Sequence, residues 1–235
     1  MLDCGFSAKE TLARLVRHER DAEALTAIVI THEHGDHCRG LASCARRLNL
    51  PVWMTPGTFS MLKHTLDGIP DINLFNPHET FTIDDIEVQP FPVPHDAREP
   101  SQFVFSNGDT RLGFLTDTGE TTTHIESMLS GCHALVLECN HDRAMLDDGP
   151  YPPSLKERIG GRRGHLDNAT AALILSRLES TQLQHLVAAH LSETNNTPEL
   201  ARAALARAIG SDPDWIAVAD QDEGLEFREL AHGWH

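Results

Sequence analysis

Short apolar, β-branched runs alternate along this chain with segments whose apolar positions recur every three to four residues, and the two periods divide it into strands and helices. LTAIVIT, residues 25–31, is a brief apolar run stopped by polar residues and predicts a buried strand. GDHCRGLASCARRLNL, residues 35–50, places Leu41, Cys44, Ala45 and Leu48 on one helical face. PVWM predicts a short strand, and TPGTFSMLKHTL a helix opened by Thr and then Pro. Residues 81–91 alternate around an Asp-Asp turn and predict a hairpin, and QFVFSNGDTRLGFLTD predicts a second around Asn107-Gly108. Then follow a helix (TTTHIESML), a strand (ALVLE), a helix led by His141 and a Pro/Gly-rich loop (DDGPYPPS). Beyond the loop, residues 166–180 form a strongly periodic helix capped by Asp167 or Asn168. The pattern closes with a strand (LQHLVAAH), a Thr-Pro capped helix (TPELARAALARAI) and a last hairpin of WIAVA with LEFREL. Hairpins mixed with strand–helix units predict an α/β fold with mixed sheets and helices packed outside. Met1-Leu2-Asp3 reads as the end of a strand, and the length suits one domain over residues 1–235.

Composition narrows the setting. The hydrophobic fraction of 40% is enough for a core. No run approaches the ~18 apolar residues of a membrane span, and MLDCGFSAKE lacks the basic and apolar regions of a signal peptide. LDCG also lacks the small residues that precede a lipidated cysteine. Five cysteines, an odd number with no CxxC, argue against a disulfide framework and fit a reducing cytoplasm, each thiol serving as a small buried side chain. A net charge of −16 opposes non-specific adsorption to nucleic acid or anionic lipid. A polyanionic substrate would need metal ions or a local basic patch. No repeat, low-complexity segment or obligate protein partner is readable.

Fifteen histidines are many, and some of them cluster. THEHGDH places His32, His34, Asp36 and His37 on one strand-to-helix turn, where their side chains can converge. These nitrogen and oxygen donors suit zinc, manganese or iron. Sites in open α/β sheets lie outside the carboxyl ends of strands, and His95, Asp117, His141 and His190 each end or follow an apolar run. His18, His64, His78, His124, His133, His185, His232 and His235 do not, and read as surface or core histidines. LKERIGGRRGH is the one dense basic stretch: Lys156, Arg158, Arg162 and Arg163 form either a solvated face or a phosphate-binding fork. His165, after GGRRG, is a phosphate contact or a bystander.

THEHGDHCRG resembles the signature of the metallo-β-lactamase superfamily, and the order HxHxDH, His95, Asp117, late His is that family's order. LDCG resembles its first motif. VPHDAREP, ECNHD, KERIGGRRGHLDN and AHLSETNN are similar to the YycJ (WalJ) branch. The resemblance implies an αββα sandwich of two mixed β-sheets flanked by helices, with a dinuclear metal centre between the sheets. It implies that His32, His34 and His95 hold one ion, that Asp36, His37 and His190 hold the other, and that Asp117 bridges them. Two ions about 3.5–4 Å apart would share a hydroxide nucleophile. Asp3 would lock a histidine tautomer, and Asp36 counts among the catalytic groups. Related nucleases use a Glu/His pair to protonate the leaving oxygen, and Glu138 with His141 resembles it; His141 alternatively caps the helix it begins. Ser192, Asn195 and Asn196 fall in a region near the family's substrate. Family members carry about two further strands before LDCG, so the resemblance implies a fold incomplete at its N-terminus, with an uncovered sheet edge.

The function implied is metal-dependent hydrolysis of phosphodiesters, as in a nuclease, with 5′-to-3′ exonuclease action and a nucleic-acid substrate. A small-molecule ester or thioester hydrolase of the glyoxalase II kind shares HxHxDH and is the alternative. Oxygen-reducing diiron relatives carry Glu where this chain has His34, and no flavin region follows. A metal-stabilised binding module without turnover is the remaining class.

Overall fold

The computed structural model describes residues 1–231, so His232 and His235 lie outside the described residues. The chain forms two compact units, residues 1–92 with 97–101, and residues 93–96 with the segment from 102 onward.

The first unit opens with α1 (Ala8–Arg17), capped by Ser7, whose hydroxyl accepts from the Glu10 N–H. The predicted elements do not include this helix, which buries little beyond Thr11 and leaves Val16 exposed. Next come β1 (Ile28–Val29), α2 (Gly35–Cys38), α3 (Leu41–Leu48), β2 (Val52–Met54), α4 (Pro56–Leu62) and β3 (Ile72–Leu74). The three strands lie in the order β1-β2-β3, all parallel, because a helical crossover separates each pair. The expectation that both sheets are mixed is corrected here: this one is parallel throughout, and Leu2 adds a parallel bridge to Val29.

β1 is shorter than the predicted run. The Thr31 N–H leaves the ladder to bond the Asp3 carboxylate at 2.8 Å. The helix predicted over residues 35–50 is likewise broken in two. The Gly40 N–H donates to the Cys4 carbonyl at 2.8 Å, and a Cβ on Gly40 would lie 1.7 Å from the Phe6 carbonyl oxygen. Only glycine permits that approach. Ile28, Ile30, Leu41, Cys44, Val52 and Met54 form the centre of this unit's core. The unit also holds a hairpin of β4 (Phe81–Ile83) and β5 (Ile86–Pro92) about Asp84-Asp85, and Phe81 stacks on Trp53 at 4.7 Å.

The second unit carries β6 (Ser101–Ser106), β7 (Arg111–Leu115), α5 (Thr123–Leu129), β8 (Ala134–Glu138), α6 (Arg143–Asp148) and α7 (Pro153–Ile159). It continues with α8 (Asn168–Arg177), β9 (His185–Ala189), α9 (Pro198–Ile209) and β10 (Ala217–Val218). Its strands run in the order β10-β9-β8-β7-β6, antiparallel only at the β6–β7 hairpin. In that hairpin's turn the Asn107 side chain accepts from the Asp109 and Thr110 N–H groups. Phe103, Leu115, Leu135, Leu137, Ile174 and Leu205 are fully enclosed in its core.

Three expectations change in this unit. α6 is capped by Asp142, not His141. Part of the predicted loop and basic stretch is α7, opened by Pro153, whose missing N–H costs nothing at a helix start. LEFREL is not a strand, so β10 has no hairpin partner among the described residues. All five cysteines are free. No described helix is long and apolar enough to cross a membrane.

Gly40→Ala is expected to destabilise the fold by roughly 2–4 kcal/mol, since its clash is with backbone. Asp167→Ala, which removes the side chain that caps α8 at the Thr170 N–H, should cost only about 1 kcal/mol. Urea midpoints of the two variants, read at unchanged slope, check the ranking.

Candidate metal centre and its orienting groups

In the first unit the candidate ligands sit on the turn between β1 and α2. Asp3, held in left-handed backbone at φ 54°, aims its carboxylate at this turn. One oxygen accepts the Thr31 N–H, the other accepts the Thr31 hydroxyl at 2.9 Å, and the same oxygen accepts Nδ1 of His37 at 2.8 Å. Having donated its proton to Asp3, the Thr31 oxygen accepts from Nδ1 of His32 at 2.9 Å. Both rings are thereby held in the tautomer that keeps the lone pair on Nε2, the form a metal requires. Nε2 of His32 stands 3.0 Å from Nδ1 of His34. That is near the ~3.3 Å between two nitrogens that share one tetrahedral ion. Nε2 of His37 lies 3.5 Å from the Asp36 carboxylate, which is largely exposed. Gly5 permits the crossing of LDCG over this turn, since a Cβ there would fall 1.6 Å from the Asp36 carbonyl oxygen.

In the second unit three adjacent parallel strands deliver the carboxylates and a histidine side by side. Leu115 pairs with Leu137 and Glu138 with Ala189, so Asp117, Glu138 and His190 emerge together at the strands' carboxyl ends. Asp117 and His190 both adopt left-handed backbone, at φ 54° and 59°. Glu138 is fully buried. Its Oε1 accepts Nδ1 of His165 and Nδ1 of His190, each at 2.8 Å, and its Oε2 accepts the N–H groups of Thr118 and Leu166. Burial opposes its charge, but the hydrogen bonds and charges of the two imidazoles prevail and hold its pKa at about 2. For His165, burial opposes the imidazolium, and Glu138 outweighs it and raises the pKa above the ordinary value. His95 donates Nδ1 to the Gly164 carbonyl at 3.1 Å and turns Nε2 to within 3.9 Å of Asp117, while Nε2 of His190 comes within 3.6 Å of the same oxygen. One ligand atom each of Asp117, Glu138, His165 and His190 lies within 4.8 Å of the others.

The donor sets fit divalent ions. His32, His37, His95 and His190 each tie Nδ1 to an oxygen, which turns Nε2 toward another ligand-type atom: Nδ1 of His34 for His32, the Asp36 carboxylate for His37, and the Asp117 carboxylate for His95 and His190. This carboxylate–histidine or carbonyl–histidine arrangement orients ligands in metal sites.

Several expected roles are relocated. The proposed Glu138–His141 pair is not formed. His141 is fully buried, its Nε2 is enclosed without a hydrogen-bond partner, and burial lowers its pKa. The cause is local: residues 140 and 141 run beside 166 and 167, where the Asn140 N–H bonds the Leu166 carbonyl and His141 bridges Asp167. That alignment sets His165 against Glu138. Arg162 is paired with Glu120 through two 2.9 Å bonds and Arg158 with Asp96 at 2.7 Å, while Lys156 donates to the Asp147 carbonyl, so two of the four cations of the basic stretch are paired with carboxylates. Arg163 remains exposed. Ser192 and Asn195 bond to each other, and Asn195 is buried, while Asn196 pairs with Asn168; these residues brace a loop. Sequence reasoning passed over Thr31, which relays Asp3 to His32, and the Gly164 carbonyl. Thr31 was visible as the polar residue between strand and first histidine, but a backbone carbonyl leaves no sequence signal.

Residues 1–190 match the family profile of the β-lactamase superfamily domain. The chain is 37% identical over 211 residues to exodeoxyribonuclease YycJ of Bacillus anthracis, covering 89% of this chain and 80% of that protein. It is 30% identical over 233 residues to exodeoxyribonuclease WalJ of Streptococcus pneumoniae, covering 97% and 84%. The crystal structure of the metallo-β-lactamase fold protein YhfI from Bacillus subtilis matches with a TM-score of 0.72 at 16% identity, over 95% of this chain and 85% of that one. Built on this fold and sharing its sequence with those relatives along most of its length, the chain belongs to the β-lactamase superfamily and, within it, to the family of YycJ and WalJ.

Proposed function

We propose that this protein is a metal-dependent nuclease that hydrolyses phosphodiester bonds in DNA, acting as a 5′-to-3′ exonuclease. Identity to two exodeoxyribonucleases supports the substrate class. The observation that carries the chemistry is the set of histidines with Nδ1 tied and Nε2 kept for a ligand. The ligand set is proposed as His32, His34 and His95 for one ion and Asp36, His37 and His190 for the other, with Asp117 serving both. We read residues 1–235 as one domain. When bound, two divalent ions of zinc, manganese or iron supply an activated water and neutralise charge on the phosphoryl oxygens.

The chain's own residues supply the proton. Nδ1 of His165 stays bonded to Glu138, and its other nitrogen, Nε2, gives a proton to the leaving oxygen as the ester bond breaks. A raised pKa keeps the ring charged near neutrality, and the ionised Glu138 stabilises that charge. Glu138 also orients His190. His165 is thus the catalytic acid in place of His141, and Glu138 is its positioning residue. A cytoplasmic location accords with five free cysteines.

Asp117→Ala is expected to lose bound metal, measured by elemental analysis, and with it hydrolysis of a p-nitrophenyl phosphodiester. Diester turnover at the wild-type rate would reject the mechanism. Wild-type turnover of a lactoyl-type thioester without turnover of the diester would replace the nuclease reading with the glyoxalase II-like one. The acid is tested by pH. Because the protonated form of His165 is the active one and its pKa lies above 6.5, the turnover rate should fall as pH rises through that raised value. His165→Gln should lower the rate by roughly 10²–10⁴-fold and abolish this alkaline limb. A limb that persists in the variant assigns the proton elsewhere.

A further inference from the structure

We propose that Arg39 and Arg98 are phosphate contacts for the substrate strand, an inference that rests on the nuclease reading above. Both belong to the first unit, and both stand beside the turn that carries His32, His34 and Asp36. Arg39 follows α2, and its side chain folds back over the turn. Its guanidinium Nη2 lies 3.4 Å, and its Nε 3.8 Å, from where a Cβ on Gly35 would be. The missing side chain at Gly35 leaves the guanidinium lying over the backbone between His34 and Asp36. Arg98 reaches the same turn through its backbone, where its N–H donates to the Glu33 carboxylate at 2.7 Å. The segment around it is pinned twice more: the Thr55 hydroxyl donates to the Glu99 carbonyl at 3.0 Å, and the Ser101 N–H to the Thr31 carbonyl at 3.0 Å. The stem of Arg98 rests against Gly57, 3.2 Å from the position of a Cβ there.

Both arginines are exposed. Among the described residues, neither guanidinium has an ion pair or hydrogen bond, whereas Arg158, Arg162 and Arg177 are each held by a carboxylate. The contrast matters in a chain of net charge −16, which repels a polyanion as a whole. Two uncommitted planar cations, carried on segments that touch the ligand-bearing turn, offer local compensation. Their forked donors match phosphate oxygens. Such contacts position a strand without reading its bases.

The test is fluorescence anisotropy of the metal-loaded protein with labelled single strands, DNA and RNA, whose phosphorothioate backbone keeps the charge and slows hydrolysis. Potassium chloride is varied. Arg39→Gln with Arg98→Gln should weaken binding by roughly tenfold or more and reduce the slope of log affinity against log salt by about 1.4, two contacts at about 0.7 each. The double substitution Arg39→Lys with Arg98→Lys keeps both positive charges without the fork, and should retain the slope while losing only about threefold in affinity. Arg177→Gln, distant in role and already paired, should change neither. Metal content and circular dichroism of the same preparations separate a lost contact from a lost centre. If the glutamine pair does not fold, the lysine pair and the single glutamine variants carry the measurement, each single change reducing the slope by about 0.7. A changed slope on either strand bears the inference out, and an unchanged slope on both overturns it. Cutting of an ordinary strand by the wild type is scored separately: binding through these arginines without cutting would keep this inference and remove the nuclease reading.

Discussion

A single buried carboxylate organises the candidate ligands of the second unit. Glu138 has no exposed surface, yet four donors converge on it: the rings of His165 and His190 on one oxygen, and the N–H groups of Thr118 and Leu166 on the other. An ionised carboxylate without partners would be costly at such a depth, and with these partners it remains charged. The four bonds tie the residue after Asp117, the GHL segment and the strand leading to His190 to one atom group. Loss of that charge would release the tautomer and direction of two imidazoles together.

Asp3 has the corresponding position in the first unit, with Thr31 as intermediary to His32. The two arrangements share a chemical logic: an acceptor takes Nδ1, and Nε2 is left basic. They also share a backbone cost. Asp3, Asp117 and His190 are half of the six non-glycine residues with positive φ among the described residues. Left-handed backbone in such residues costs on the order of 1 kcal/mol or more each and persists where surrounding bonds over-determine it. In each case the residue ends or follows a strand, and the turn redirects a side chain that the pleat would otherwise carry elsewhere.

Charge is handled in the same local manner. Most of the basic stretch at residues 156–163 is spent on Glu120, Asp96 and a carbonyl, and so stabilises its own loop. The cations that stay uncommitted near the first turn are isolated arginines, which a count of basic residues in a sequence window does not single out.

Much of this protein was legible from residue order alone. The strand-to-helix turn of THEHGDH, the hairpins at Asp84-Asp85 and Asn107-Gly108, the caps at Thr55, Asp167 and Thr197, and the strand ends bearing Asp117, Glu138 and His190 all follow from local periodicity and turn chemistry. The family was legible too, because its motifs are contiguous. Tertiary structure decided what depends on residues far apart in the chain. It broke the helix at Gly40, since a carbonyl from the N-terminal segment passes where a side chain would be. It paired Glu138 with His165 rather than His141, because the segment at 165–167 aligns beside residues 140–141. It neutralised Arg162 and left Arg39 and Arg98 uncommitted. Hydrogen-bond partners are set by which segments become neighbours on folding, and one sequence carries local preference in plain view but long-range pairing only through the packing of its core.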